Sequence, residues 1–374
     1  MTLREICEFA VNRGMDLDPR GREALERQLR ERAEEFAGLE GKARDLFDQE
    51  RMRNPFGDTR LVTGDPGTEV RRMVVGIEIG VAEVLLAEAL RQKGEPVDAI
   101  WSHHTSGIGP ALADIEDTMW VQVHLMVEAG VARHVAEKLV RADMAGRSRG
   151  QDFRVVQVAD ALGIPIVGIH APPDLYNLRY LRDLIEGAKP ERAGELVEVI
   201  QDIPECRWLH DRGTPVRAVV GDERDGLGRL YLVMAGGWNP SPASFEALCE
   251  AGVGTFVLVA TSAELNAIAA RHHASIVVYP HWPADSAGMN LLLDDLCRTS
   301  PIEVVPVGEY IRARRGTGRV LPGQLRAGAV GGGGDTAVPG RGGGVAPDDG
   351  ECPLAALQST AERADSDDHL RGRG

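Results

Sequence analysis

The residues of this chain best suited to chemistry are imidazoles and carboxylates, and they gather in three short stretches. In 274-ASIVVYPHWPADSAGMNLLLDDL-296 the apolar, β-branched run Ile276 to Tyr279 reads as a buried strand. His281 stands just past the end of that strand, and Asp285 follows four residues later, ahead of a helix carrying Met289, Leu292, Leu293 and Leu296. In 164-IPIVGIHAPPDLYN-177 a second strand delivers His170, with Asp174 four residues on in what reads as a Pro-Pro turn. In 97-VDAIWSHHTSGIG-109 a third strand delivers His103 and His104 ahead of a Gly-containing loop. Ligands of open α/β sheets collect outside the carboxyl ends of strands, where all three stretches put their polar groups.

Mixed imidazole and carboxylate donors suit zinc, iron, manganese or cobalt, and lack the thiolates of a structural zinc site. Five strong donors are too many for a single catalytic ion that keeps an open position; they fit two ions bridged by a carboxylate and a water. Neighbouring His103 and His104 leave their strand in opposite directions, so each can serve a different ion. Two-metal sites acidify a bridging water and clamp attacking and leaving oxygens, which is hydrolase chemistry. The plainer alternative is that the histidines cap strand ends by hydrogen bonding.

The elements that must position these groups are α/β in pattern. Residues 1–57 read as a helical extension packed on the main body, with an oligomer contact as the alternative, and carry Leu25, Leu29, Ala33 and Phe36 at helical spacing. A first α/β portion, 58–205, has strands at Val70 to Glu78 and Asp98 to His103 around a helix at Val81 to Arg91. It is interrupted by a helical insertion at about 110–162, with Trp120, Val123, Val127, Val131, Val135 and Leu139 as candidate buried positions. The insertion's arginines and lysine (Arg133, Lys138, Arg141, Arg147, Arg149, Arg154) form a basic patch that could hold a phosphate, with the solvated face of a helical hairpin as the favoured reading, and His124 and His134 read as surface or packed residues. A second portion, 206–312, holds strands at Val216 to Val220 and Arg229 to Ala235, joined by 221-GDERDGLG-228 as a hairpin loop. A last strand, Ile302 to Pro306, closes the fold. From 313 to 374 the chain becomes Gly-rich, and 326–351 has too little apolar surface to offset the entropy of ordering, so it is expected to be disordered.

The composition, 43% hydrophobic and 26% charged, is that of an ordinary globular protein, and a net charge of −15 argues against nucleic-acid or anionic-membrane partners. There is no run of about 18 apolar residues, and MTLREICEFA carries charges where a signal peptide needs an apolar core, so a cytoplasmic location is expected. Five scattered cysteines without a CxxC pair suit reduced thiols.

Taken together, SHH at one strand end, H-x3-D after a second strand and H-x3-[E/D]-x2-G near the C-terminus resemble the Nif-three-like dinuclear-metal proteins, often labelled GTP cyclohydrolase type 2 homologues. The segment 64-GDPGTEVRRMVVGIEIGVAEVLLAEAL-90 is similar to the strand and helix before the HH motif in that family. The resemblance covers about residues 58 to 312. It implies two related α/β halves with a dinuclear site at strand C-terminal ends, two divalent ions per chain, and a hexameric ring. Its ligands would be His103, His104, Asp174, His281 and Asp285, with His170 orienting a ligand or transferring a proton. The family's usual HHP is HHT here, and its final Glu is the shorter Asp285, which bridges two ions only if the backbone moves in. Two functions follow as expectations. One is a hydrolase of a small, nucleotide-like or phosphorylated substrate, using a metal-bound hydroxide. The other is a non-catalytic metal-binding scaffold or metallochaperone.

Overall fold

The hydrophobic runs and amphipathic stretches fold into alternating strands and helices, seen in a computed structural model that describes residues 1–104, 115–146 and 153–315. The chain opens with α1 (Leu3–Leu17), α2 (Arg22–Gly38), α3 (Gly41–Asp45) and a 3-10 turn (Gln49–Met52). Strands β1 (Arg60–Thr63) and β2 (Arg72–Glu78), helix α4 (Val81–Gln92) and strand β3 (Ala99–His104) follow. Next come α5 (Ile115–Glu128), α6 (Arg133–Gly146), α7 (Arg154–Leu162), β4 (Ile166–Gly168), α8 (Ala171–Ala188), α9 (Ala193–Gln201) and α10 (Pro204–His210). The remainder is β5 (Arg217–Val220), β6 (Arg229–Leu232), α11 (Pro242–Glu250), β7 (Val253–Leu258), α12 (Ala263–Arg271), β8 (Ser275–Val278), α13 (His281–Thr299) and β9 (Glu303–Val307).

The strands form two sheets, ordered β1-β4-β3-β2-β9 and β5-β8-β7-β6. Both carry the same plan: the first strand lies antiparallel on the fourth, and the fourth, third and second run parallel. The order first-fourth-third-second therefore occurs twice, and the two α/β halves are related. Each fourth strand, β4 or β8, is followed within three residues by a helix that starts with an H-x3-D motif.

Strand β2 has an unbroken buried run from Met73 to Ile77, as a strand covered on both faces must. Successive side chains point to opposite faces. Val75, Ile77, Trp101 and Val167 accordingly meet α1 and α13 through Leu3, Ile6, Met289 and Leu293. Val74, Ile100 and Ile166 meet α4 and α7 through Val84, Ala87, Val155 and Ala159. Helix α13 starts from the second sheet yet packs on the first, and so carries one half's residues to the other.

Several details differ from the sequence reading. The segment 221–228 is not a hairpin loop: β5 and β6 lie at opposite edges of their sheet. Its backbone instead bonds to the start of α9, with Ala193 and Gly194 N–H donating to Asp225 and Glu223 carbonyls at 2.9 Å each. The last strand, β9, lies within the 206–312 portion yet pairs with β2 in the first sheet. The N-terminal helices, by contrast, pack on the main body as expected: Leu3, Ile6 and Ala10 sit in the core of the first sheet, and Val11, Met15 and Leu25 sit in the larger core around the second. Strand β1 alternates in burial but, as Arg-Leu-Val-Thr, not in residue type, and so escaped the pattern. The helical character of the insertion holds in α5, α6 and α7, with Val123 and Val131 buried and Trp120, Val127, Val135 and Leu139 packed beside them. The order through Arg315 reaches past the expected tail boundary at 313, while the expected disorder of 326–351, together with Arg147 and Arg149, lies outside the described residues. Among the described residues, no helix is long and apolar enough to cross a membrane.

Candidate metal centre

The centre is assembled where β3, β4 and β8 end. Strand β3 ends at His103 and His104, of which His103 is wholly buried and His104 half-buried. His170 is the N-cap of α8, so the Pro-Pro segment is no free turn but the first turn of a helix, where proline's missing N–H is harmless. Asp174 therefore lies one helical turn beyond His170, on the same face. Helix α13 likewise begins at His281 itself, so His281 and Asp285 form an i,i+4 pair rather than flanking a turn.

Three imidazoles are oriented by outer partners. His103 Nδ1–H donates to the Ile169 carbonyl at 3.2 Å, His104 Nδ1–H to Glu78 Oε1 at 2.5 Å, and His170 Nδ1–H to Asp58 Oδ2 at 2.7 Å. The register explains one of these contacts, since Glu78 at the end of β2 stands directly opposite His104. Each ring then presents Nε2 to the centre, the arrangement in which a carboxylate or carbonyl fixes the tautomer of a metal-binding histidine. The rings of His103 and His170 are 4.7 Å apart between centroids, and those of His104 and His281 are 5.1 Å apart.

Two groups of donors converge, and they share one member. His103, Asp174 and Asp285 form one group; His104, His281 and Asp285 form the other. His103 Nε2 lies 3.4 Å from Asp174 Oδ1, His104 Nε2 3.4 Å from Asp285 Oδ2, and His281 Nε2 3.1 Å from the same oxygen. Two donors each about 2.0–2.2 Å from one ion stand roughly 3.0–3.5 Å apart at octahedral or tetrahedral angles, and these spacings fall in that range. The gap from His103 to Asp285 is wider, at 3.8 Å. Asp285 Oδ2 is buried and faces these nitrogens without accepting a well-aligned hydrogen bond from any of them. The donor set thus fits a divalent ion, and these His/Asp groups can hold one. His103, His104 and His170 form a third convergent group.

The electrostatics agree. Burial alone would lower the pKa of His103, but the Asp285 and Asp174 carboxylates outweigh it and hold the ion-free imidazole at about 10. Burial also works against charge at His104, and Asp285 and Glu78 raise it to about 9. Asp58 is fully buried, which would raise its carboxyl, yet the His170 hydrogen bond and charge bring it below the usual range.

Helix α13, which carries Asp285, approaches α8 closely. A Cβ at Gly288 would lie 2.1 Å from the Pro173 carbonyl, so glycine there lets α13 close on the first turn of α8. Gly237 is the second such position. It has φ 59°, its N–H donates to Asp174 Oδ2 at 3.0 Å, and a Cβ would press on His170 Cε1 at 2.6 Å. The loop carrying it is held by the insertion. Gln122 of α5 donates to the Ala235 carbonyl at 2.6 Å, and Asp143 of α6 accepts from Trp238 Nε1, Ser241 N and Ser244 Oγ at 3.1, 3.3 and 2.8 Å.

That loop walls a cleft of about 120 Å³ lined by His170, Asp174, His281 and Asp285 together with Val233, Met234, Trp238, Val259 and Ala260. Val259 and Ala260 follow β7, the second half's counterpart of β3. One strand end thus supplies imidazoles, and its relative supplies an apolar wall.

Every site residue named from sequence lies in this cluster. Sequence reasoning missed Asp58, Glu78, Gly237 and Asp143, which act by hydrogen bonds across long separations and carry no local motif. His272 and His273 end a helix away from the centre, as an HH pair without a strand before it would; His272 faces Glu246.

No family model and no curated protein matches the sequence. Solved structures do match. A NIF3 superfamily protein from Sphaerobacter thermophilus is similar over 76% of this chain and 98% of its own, with 23% identity and a TM-score of 0.59. Reduced HcgD from Methanocaldococcus jannaschii aligns over 75% of this chain and 96% of its own at 13% identity and TM-score 0.42. A Bacillus cereus protein related to NIF3 aligns over 74% and 96% at 10% identity and TM-score 0.38. The first likeness establishes the fold, which is NIF3-like, with two related α/β halves and a His/Asp cluster between them.

Proposed function

We propose that this protein is a dinuclear-metal-dependent hydrolase of a small, nucleotide-like or phosphorylated substrate, acting in the cytoplasm. The observation that carries the reading is the pair of donor groups that share Asp285. On this reading His103 and Asp174 would hold one ion, His104 and His281 would hold the other, and Asp285 would serve both. Divalent ions so held would acidify a coordinated water and supply positive charge to a leaving oxygen. His170, turned by Asp58, directs Nε2 toward the same space and is within reach to take or return a proton. Val233, Met234, Val259 and Ala260 limit water in the cleft. Among the described residues no lysine or arginine lines the cleft, so a phosphate there would meet its counter-charge in the ions.

The test is metal content per chain by plasma mass spectrometry, wild type beside Asp174→Ala, followed by a hydrolysis screen that starts with nucleotides. About two transition-metal ions per chain, fewer in the variant, and turnover that vanishes on chelation are the expected results. Bound metal with no turnover across a broad panel would move the protein to the metal-binding scaffold class.

A further inference from the structure

After β9 the chain does not leave the body but runs back along α13. Ser286, Asn290 and Asp294 stand at successive i,i+4 positions of that helix, forming one stripe, and each grips the returning segment. Ile311 N–H donates to Ser286 Oγ at 3.0 Å. Asn290 Nδ2 donates to the Ile311 carbonyl at 2.8 Å and to Glu205 Oε1 at 2.7 Å, while its Oδ1 accepts from Tyr310 OH at 2.5 Å and Arg312 at 2.8 Å. All four hydrogen-bonding positions of the amide are thus used. Asp294 accepts from Arg312 at 2.6 Å and from Arg315 N–H at 2.9 Å. The Arg315 guanidinium closes the clasp with two 2.8 Å bonds to Glu205. Glu205, Ser286 and Asn290 are wholly buried.

Apolar packing lets a helix slide by fractions of an ångström, whereas a buried network of directional hydrogen bonds between charges and amides has one register. The stripe begins at Ser286, the residue after Asp285. We infer that the segment Tyr310–Arg315 fixes α13 along its axis and so holds Asp285 where both donor groups meet. Ser286, Asn290, Glu205 and Arg315 are positioning residues of the centre. A short carboxylate shared between two ions tolerates displacement of only about 0.5 Å, which gives the clasp its purpose. The inference rests on the reading of Asp285 as the bridging ligand.

The experiment measures release of bound metal to an excess of a competing chelator, on the full chain, with melting temperature recorded in parallel. Two variants loosen the clasp. Glu205→Gln with Arg315→Met removes both buried charges together, and Ser286→Ala removes the acceptor next to Asp285. Phe245→Leu, in the packing layer of the second sheet, serves as a destabilised control. Release at least tenfold faster in both clasp variants, with the wild-type rate in the control, is expected. If the double variant does not fold, Ser286→Ala decides alone. Wild-type release from the clasp variants, or equal acceleration in the control, would overturn the inference while leaving the metal site standing. A wild-type chain that takes up no metal would overturn the site reading, and the inference with it.

Discussion

Three imidazoles of this chain turn Nδ1 outward to a backbone carbonyl or a carboxylate and Nε2 inward, and that choice of nitrogen is made by residues far away in sequence. Glu78 is the partner of His104. Glu78→Gln should weaken metal binding by about 10–100-fold, read by competition with a chromogenic chelator. Replacing His103 or His281 by Ala should lower the metal content by at least one ion per chain while the far-ultraviolet circular dichroism is unchanged, since neither side chain contributes much apolar burial. The centre also makes metal binding compete with protons. His103 and His104 have ion-free pKa values of about 10 and about 9, both raised above the ordinary 6.5. Their contribution to stability in the metal-depleted protein is therefore complete below about pH 6.5 and is lost as pH rises through about 9 to 10. Metal must displace these protons, so apparent affinity should climb between pH 7 and 10 with proton release. Calorimetry in buffers of different ionisation enthalpy measures that release, and pH-independent affinity would count against the ligand assignment.

At the scale of elements, the centre depends on how closely α13 approaches α8. Gly288→Ala introduces a methyl where the Pro173 carbonyl stands. Overpacking of this kind costs about 1–3 kcal/mol. Thermal denaturation should show that loss, with metal content falling as the helices part. The insertion earns its place at this scale too: Asp143 and Gln122 hold the Ala235–Ser244 segment that walls the cleft. Helices read from sequence as an interruption thus shape the space beside the histidines.

For the whole molecule, the repeated strand order explains why two H-x3-D motifs exist: each closes one half after its fourth strand. The N-terminal helices share the cores of both halves, and the segment after them brings Asp58 to His170. The clasp ends at Arg315, so deletion of residues 317–374 should leave melting temperature and metal content unchanged. A large loss of either would show that residues past 316 contribute to the fold. Sedimentation velocity tests the proposed hexamer directly, with a species of six chains expected.

The sequence by itself determined the chemistry. A histidine just past a β-branched run, with a carboxylate four residues on, can be read because strand periodicity, strand ends and helical spacing are all local. The α/β character and the six residues that converge in the candidate centre were legible for that reason. Tertiary structure decided what local pattern cannot carry. It put β5 and β6 at opposite edges although a Gly/Asp-rich loop joins them, because that loop bonds to α9 instead. It sent β9 to the first sheet, where it pairs with β2. It also recruited Asp58, Glu78, Asp143 and Arg315, whose partners His170, His104, Trp238 and Glu205 lie from 26 to 112 residues away. Only the folded chain brings such pairs within hydrogen-bonding distance, and no spacing rule in the sequence encodes them.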